Sequence, residues 1–286
     1  NIMRFAFAGV DRSRGIFEAF VAAGWEPVAL YTMPVDNRFD FNDELIGLAQ
    51  HHCMPVQLSR IREDDLRALA QRQCDALIVA GYQWRVPDWR EHLRYAVNFH
   101  PAPLPDGRGP YPLTQAILED RREWGISCHR IAPEFDTGDM LASEHFALDA
   151  GEWHETLHLK IQLAAKRLAT RVAGDFHRLW DGSRPQGEGS YWPRLKDASR
   201  TLDFTQPVER VMRVVHAYGL IECIAPLHGR TVFVRRALAW KESHAYEPGQ
   251  VVHEYHRWIV IAAADGFVAL LEWSALNETL RRQVGP

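Results

Sequence analysis

Asn98 and His100 stand two positions apart in the run Asn-Phe-His-Pro, the spacing at which side chains of an extended strand leave the same face. A carboxamide and an imidazole on one face can act on one atom. The N–H of Asn98 can hold a developing oxyanion, and an imidazole with an ordinary pKa of about 6.5 can move a proton near neutral pH. Asp136, in the Gly-bearing segment Asp-Thr-Gly-Asp of residues 136–139, is a carboxylate that can reach either group. An oxyanion donor, a proton carrier and a carboxylate that fixes charge and tautomer are together what acyl transfer to nitrogen demands. Taken singly, each motif is an ordinary strand end or turn. The weight lies in their order along the chain.

The elements that must position these residues read as strands alternating with helices. The apolar run 4–9 ends in glycine and predicts a strand; residues 16–23 carry apolar side chains at helical spacing, and 27–31 predict a second strand. Residues 45–52 and 64–72 follow as helices and 56–58 and 76–80 (ALIVA) as strands, then 95–99 as a strand, a Pro/Gly-dense loop, a helix near 113–120 and a strand at 125–131. Such alternation implies a parallel sheet with right-handed crossovers, and in open sheets of this kind ligands bind at the carboxyl ends of the strands. Three polar segments fall there: 81–87 (GYQWRVP), 98–112 and 133–141. Residues 152–180 predict one long amphipathic helix, and 182–189 (GSRPQGEG) read as a linker. Beyond it the spacing changes to one helix at 207–216 and short strands at 223–226, 231–239, 250–254, 258–263 and 267–273, with Asp265-Gly266 as a hairpin signal. This is the pattern of a small barrel or sheet appended as a second domain.

Composition narrows the classes. The chain has 286 residues, 47% hydrophobic and 24% charged, ordinary for a folded protein of one large or two smaller domains. Its net charge of −4 supplies no field for drawing in a phosphate backbone. Cys53, Cys74, Cys128 and Cys223 lack the paired spacing of zinc or redox motifs and read as reduced thiols, which points to the cytoplasm. The apolar stretch 5–10 is too short for a signal region, and no segment approaches the roughly 20 apolar residues of a membrane span. The turn Gly9-Val10-Asp11-Arg12-Ser13-Arg14-Gly15 lacks the G-x-G-x-x-G of dinucleotide binding. Residues 154–158 (HETLH) satisfy the H-E-x-x-H pattern and keep a zinc hydrolase as an alternative of a different class.

The run Asn98-Phe99-His100-Pro101, followed by Leu104-Pro105, Arg108-Gly109, Pro112, Gly125 and Asp136-Thr137-Gly138-Asp139-Met140-Leu141, resembles the signature of the folate-dependent formyltransferases. That family includes methionyl-tRNA formyltransferase, glycinamide ribonucleotide transformylase and the nucleotide-sugar N-formyltransferases, and the pattern is most similar to the last. The Phe-Ala-Gly start, the YQWRVP segment and the stretch from Tyr191-Trp192-Pro193 to Asp203-Phe204 also match in position, so the resemblance covers nearly the whole chain. It implies a Rossmann-like α/β catalytic domain over residues 1–186 and a small β-rich, OB-like domain over 187–286. It also implies 10-formyltetrahydrofolate as co-substrate, no metal, and Asn98, His100 and Asp136 as the catalytic trio. The pterin is then expected against Gln83, Trp84, Arg85 and Val86, with Phe135 and Asp139 closing the opposite side.

Two departures bear on the acceptor. Relatives carry Ser-Leu-Leu-Pro after the histidine, whereas this chain has Ala102-Pro103-Leu104-Pro105, so a hydroxyl is missing there. This keeps a non-catalytic folate-binding module as another alternative. Where the tRNA-acting members carry a long basic insertion, residues 32–42 hold one arginine, Arg38, beside Asp36 and Asp40, which disfavours tRNA because its affinity rests on cationic contacts. A small-molecule amine, foremost a nucleotide-linked amino sugar, is the expected acceptor, with an amino acid such as hydroxyornithine as alternative. By analogy with the sugar-modifying relatives, a homodimer is expected. Arg230, Arg235, Arg236 and Lys241 form either a phosphate patch or solvated strand faces.

Overall fold

The computed structural model of the chain describes residues 1–277. In chain order its first elements are β1 (Arg4–Gly9), α1 (Arg14–Ala22), β2 (Glu26–Tyr31), α2 (Asp43–His51), β3 (Val56–Gln57), α3 (Glu63–Gln71), β4 (Ala76–Ala80), β5 (Tyr95–His100), α4 (Pro112–Leu118), β6 (Glu123–Arg130), β7 (Met140–Ala147), α5 (His154–Gly174) and α6 (Phe176–Asp181). The strands form one seven-stranded sheet in the order β3-β2-β1-β4-β5-β6-β7. The first five run parallel, whereas β6 is antiparallel to β5 and β7 to β6. All five residues of β4 are buried, as expected of a central parallel strand covered on both faces, and this is why it reads as an unbroken apolar run.

Phe5 and Phe7 of β1 pack on Phe17 of α1 with ring centroids 5.7 and 5.6 Å apart, and Phe20 meets Trp25 edge-on at 4.8 Å. Trp25 continues the cluster to Phe176 at 5.0 Å and donates its indole N–H to the carbonyl of Ala173 at 3.2 Å. Two features differ from the sequence expectation. The helix expected over 152–180 is two helices, because Asp175, at φ −137° and ψ 37°, leaves the helical region directly after Gly174. Strand β7 was not foreseen: it lies at the sheet edge, and its mixed sequence MLASEHFA is half-exposed along most of its length.

The remaining elements are α7 (Val208–Tyr218), β8 (Cys223–Leu227), β9 (Arg230–Lys241), β10 (Val251–Tyr255), β11 (Trp258–Ala262) and β12 (Gly266–Ser274). They form an antiparallel five-stranded sheet, order β10-β11-β12-β9-β8, with α7 packed on β9 and β12. The helix turns Val208, Val211, Val215 and Tyr218 inward at helical spacing. Asp265 of the β11–β12 hairpin accepts the N–H of Val208 at 2.8 Å, which ties the turn to the start of that helix. Of the cations of β9, Arg230 meets Glu254 and Arg235 meets Glu222 at 3.2 Å, and Arg236 lies 5.4 Å over the Trp153 ring.

The backbone clusters into two compact units, one of Asn1–Pro112, Glu123–Ala147 and Leu159–Trp192, the other of Leu113–Arg122, Leu148–His158 and Pro193–Pro286. Where the sequence reading expects one break between 186 and 187, the clustering thus groups 113–122 and 148–158 with the C-terminal residues. Among the described residues no helix is long and apolar enough to cross a membrane.

Candidate active site

Asn98 and His100 project from the last turn of pleat of β5, and the antiparallel register sets His129 of β6 directly opposite Asn98. His129 is 2% exposed. Its Nδ1–H donates to the carbonyl of Arg130 at 2.7 Å, which leaves Nε2 as an acceptor, and the carboxamide Nδ2 of Asn98 donates to it at 3.2 Å. Burial pushes the His129 imidazole down to about 4, against the raising effects of the Arg130 carbonyl and the Asp136 charge. A neutral ring of fixed tautomer therefore holds Asn98 by one amide hydrogen and leaves the other to donate elsewhere.

His100 is 7% exposed and Asp136 9%. The imidazole Nδ1 stands 3.2 Å from Asp136 Oδ1, and Nε2–H donates to the carbonyl of Gly107 at 2.9 Å. Because a carbonyl only accepts, Nε2 carries a hydrogen, and Nδ1 is the ring nitrogen that faces the carboxylate. The other oxygen, Oδ2, accepts the backbone N–H of Gly109 at 3.0 Å. Gly109 sits at φ +121°, and a Cβ there would stand 2.0 Å from the carbonyl of Trp192, so only glycine can present its N–H to Asp136 in this way. The structure thus brings His100 and Asp136 into direct contact, with Asn98 on the same strand face as His100.

The loop carrying Asp136 passes very close to β6. A Cβ on Gly138 would lie 1.7 Å from the carbonyl oxygen of Arg130, and Asp139 O accepts the Arg130 N–H at 2.8 Å. Residues that read as a linker brace this loop. Arg184 exchanges two backbone hydrogen bonds with Met140, at 2.7 and 3.1 Å, and the Gln186 side chain donates to the carbonyls of Asp136 and Gly138 at 2.8 and 2.7 Å. Farther on, Ser190 O accepts the N–H of Arg108, its hydroxyl accepts that of Gly107, and the Trp192 indole stacks on Trp124 at 5.2 Å. At the turn after His100, Ala102 has no hydroxyl, but Ser127 of β6 places one between Ala102 O at 2.7 Å and Leu104 N at 3.0 Å.

Of the residues expected to hold the co-substrate, Arg85 and Phe135 meet across their two loops, the guanidinium carbon lying 5.1 Å from the ring centroid. Phe135 is 49% exposed. Trp84 is half-buried and packs edge-on against Tyr82 at 5.7 Å, with the Arg60 guanidinium 5.8 Å above it. Gln83 is exposed, and Val86 and Asp139 are half-buried. A half-exposed phenyl ring, a half-buried indole and a guanidinium on adjacent loops suit a flat heteroaromatic ring bearing carboxylates.

The histidine pair of residues 154–158 stacks at 6.1 Å, and Glu155 between them accepts the backbone N–H of Leu220 at 2.8 Å. That carboxylate is thus tied to a backbone turn. His129 and Gln186 were not singled out from sequence. A histidine inside the buried run of β6 is a signal that could have found the first; the second lies in a Gly/Pro-rich stretch that carries none.

Residues 45–173 match a family model described as formyl transferase, and residues 194–278 one described as formyl transferase, C-terminal domain. The chain is 30% identical over 285 residues to the methionyl-tRNA formyltransferase of Thiobacillus denitrificans, covering 96% of this chain and 92% of that protein. Among solved structures it resembles HypX from Aquifex aeolicus in complex with tetrahydrofolic acid, at a TM-score of 0.67 and 19% identity, over 96% of this chain but 44% of that longer one. It also resembles the N-formyltransferase from Helicobacter canadensis in complex with folinic acid and dTDP-3-aminofucose, at a TM-score of 0.68 and 16% identity, over 96% of this chain and 100% of the other. At these identities the two structural likenesses speak for the fold.

Proposed function

Since the chain belongs to the folate-dependent formyltransferase family and is a one-carbon transfer enzyme, we propose that it moves the formyl group of 10-formyltetrahydrofolate onto the amine of a small molecule, foremost a nucleotide-linked amino sugar, with Asn98, His100 and Asp136 as its catalytic residues. The observation that carries this reading is the 3.2 Å contact of His100 Nδ1 with Asp136 Oδ1 beside the singly engaged carboxamide of Asn98. The co-substrate supplies a formyl group on a nitrogen that can leave.

When the acceptor amine adds to the formyl carbon, the carbonyl oxygen gains negative charge. The free Nδ2–H of Asn98 donates to it and the charge of protonated His100 faces it, so both act where charge develops. The ammonium proton passes to the Asp136 carboxylate, whose position is set by His100 and the Gly109 N–H. Collapse of the adduct breaks the bond to the folate nitrogen, which takes the proton held by Asp136 as tetrahydrofolate leaves, so that the carboxylate is restored. Arg85, Phe135 and Trp84 are the groups that would grip the pterin and its carboxylate tail, joined by Gln83, Val86 and Asp139 from the same two loops. Loss of one oxyanion donor costs about a hundredfold in rate or more.

Support for a nucleotide-sugar acceptor comes from the ligands of the Helicobacter canadensis structure and from its full-length match. A second acceptor, methionyl-tRNA, is favoured by the sequence relatives. Against it, the acidic side chains of residues 36–40 are engaged close by: Asp36 accepts the N–H of Arg38, Phe39 and Asp40 at 2.9 to 3.1 Å, and Asp40 pairs with Arg12. A panel of nucleotide-linked 3- and 4-amino sugars, hydroxyornithine and methionyl-tRNA, read by mass gain of one formyl group, decides among them. His100→Ala should abolish the gain with every acceptor; full transfer by that variant removes the assignment. Donor binding without any acceptor-dependent release of tetrahydrofolate would instead support a non-catalytic folate-binding module.

A further inference from the structure

Asp136 is held at φ +62°, a left-handed conformation that residues with a Cβ adopt rarely and keep only where the surroundings impose it. One group bonded to its backbone comes from fifty positions away in the sequence. Both amide hydrogens of Gln186 land on this loop, on Asp136 O at 2.8 Å and Gly138 O at 2.7 Å. Its Oε1 accepts twice from Arg108, from Nε at 3.2 Å and from Nη2 at 3.0 Å. The carboxamide is thus used to its full capacity of two donors and two lone pairs, and it works in one orientation only. Arg108 adjoins Gly109, whose N–H holds the Asp136 carboxylate, so the bonds close a ring: Gln186 fixes the backbone of Asp136, Gly109 one carboxylate oxygen, and Arg108 ties the two together.

We propose that Gln186 is a positioning residue for formyl transfer, holding Asp136 so that its free oxygen meets His100. It touches neither substrate in this reading and acts through the carboxylate. The inference rests on the proposed roles of His100 and Asp136 and adds a residue to them that neither motif contains.

Gln186→Glu tests it, because the side chain keeps its shape and its acceptor for Arg108 but loses both donors. With 10-formyltetrahydrofolate and whichever acceptor the wild type turns over, kcat should fall about 10- to 100-fold, the loss expected of a catalytic group misplaced by a fraction of an ångström to one ångström. KM for the donor should stay within about twofold, as for an interaction made in the transition state. Histidine-selective 15N NMR should show the pH titration of the His100 ring displaced, and Gln186→Ala should repeat both effects should the Glu variant not fold. A kcat that drops only with the folded fraction, together with an unmoved His100 titration, overturns the proposal. If the wild type formylates no acceptor, the transfer reading fails, while the His100 titration still decides whether Gln186 positions Asp136.

Discussion

Gly138→Ala is a one-carbon change whose consequence can be worked from the coordinates. The added Cβ would lie 1.7 Å from the carbonyl oxygen of Arg130 and 2.7 Å from its carbon, and real Cβ atoms essentially never approach closer than 3.0 Å. The obstacle is backbone of a buried strand, so the loop must retreat by at least 3.0 − 1.7 = 1.3 Å. If that retreat is carried two residues back, the 3.2 Å contact between Asp136 and His100 opens to about 4.5 Å, outside hydrogen-bond range. A misplacement of about 1 Å costs roughly a hundredfold in rate, or about 3 kcal/mol of transition-state stabilisation. Overpacking adds about 1 to 3 kcal/mol of lost stability. Steady-state release of tetrahydrofolate, with thermal melting beside it, measures both. A variant with wild-type kcat/KM and an unchanged melting point would refute the claim that close approach of this loop to β6 seats the carboxylate.

Asn98→Ala should lower kcat about a hundredfold while leaving donor affinity, measured by fluorescence titration with 5-formyltetrahydrofolate, close to wild type. Phe135→Ala should weaken that affinity about tenfold by removing the ring on which Arg85 rests. The neutral, buried His129 predicts acid sensitivity with a definite sign. Its pKa in the fold is lowered to about 4 from an unfolded value of about 6.5, so the unfolded chain takes up the proton first. Its contribution is intact above about pH 6.5 and is lost as pH falls toward 4, by about 3 kcal/mol at most. Urea melts across this window should show a shallower decline for His129→Leu than for the wild type.

Much of the fold was legible because its physics is local. β4 reads as a strand since all five residues are apolar and buried, and α7 as a helix since its inward valines fall at helical spacing. The antiparallel turn of β6 and β7 was not legible: strand direction depends on which edge the chain returns to, and β7 at that edge needs no apolar face. Asn98 and His100 pair by their spacing alone, and Asp136 is a candidate from its Gly-bearing segment that the resemblance then singles out. What sequence spacing could not carry was support from distant backbone. His129 faces Asn98 only through the β5–β6 register. Gln186 sits between proline and glycine, in a stretch that looks like a spacer and folds as a brace.

The proposed chemistry requires that the amide and imidazole at the end of β5 and the carboxylate beside them meet at a transferable formyl group. A crystal structure of the protein with 5-formyltetrahydrofolate and an acceptor amine tests it most directly. The pterin should lie between residues 83–86 and 135–139, with the formyl-bearing end within hydrogen-bond reach of Asn98 Nδ2 and Asp136 still on His100. A folate bound elsewhere, or a carboxylate that has left the imidazole while both substrates are in place, would contradict it.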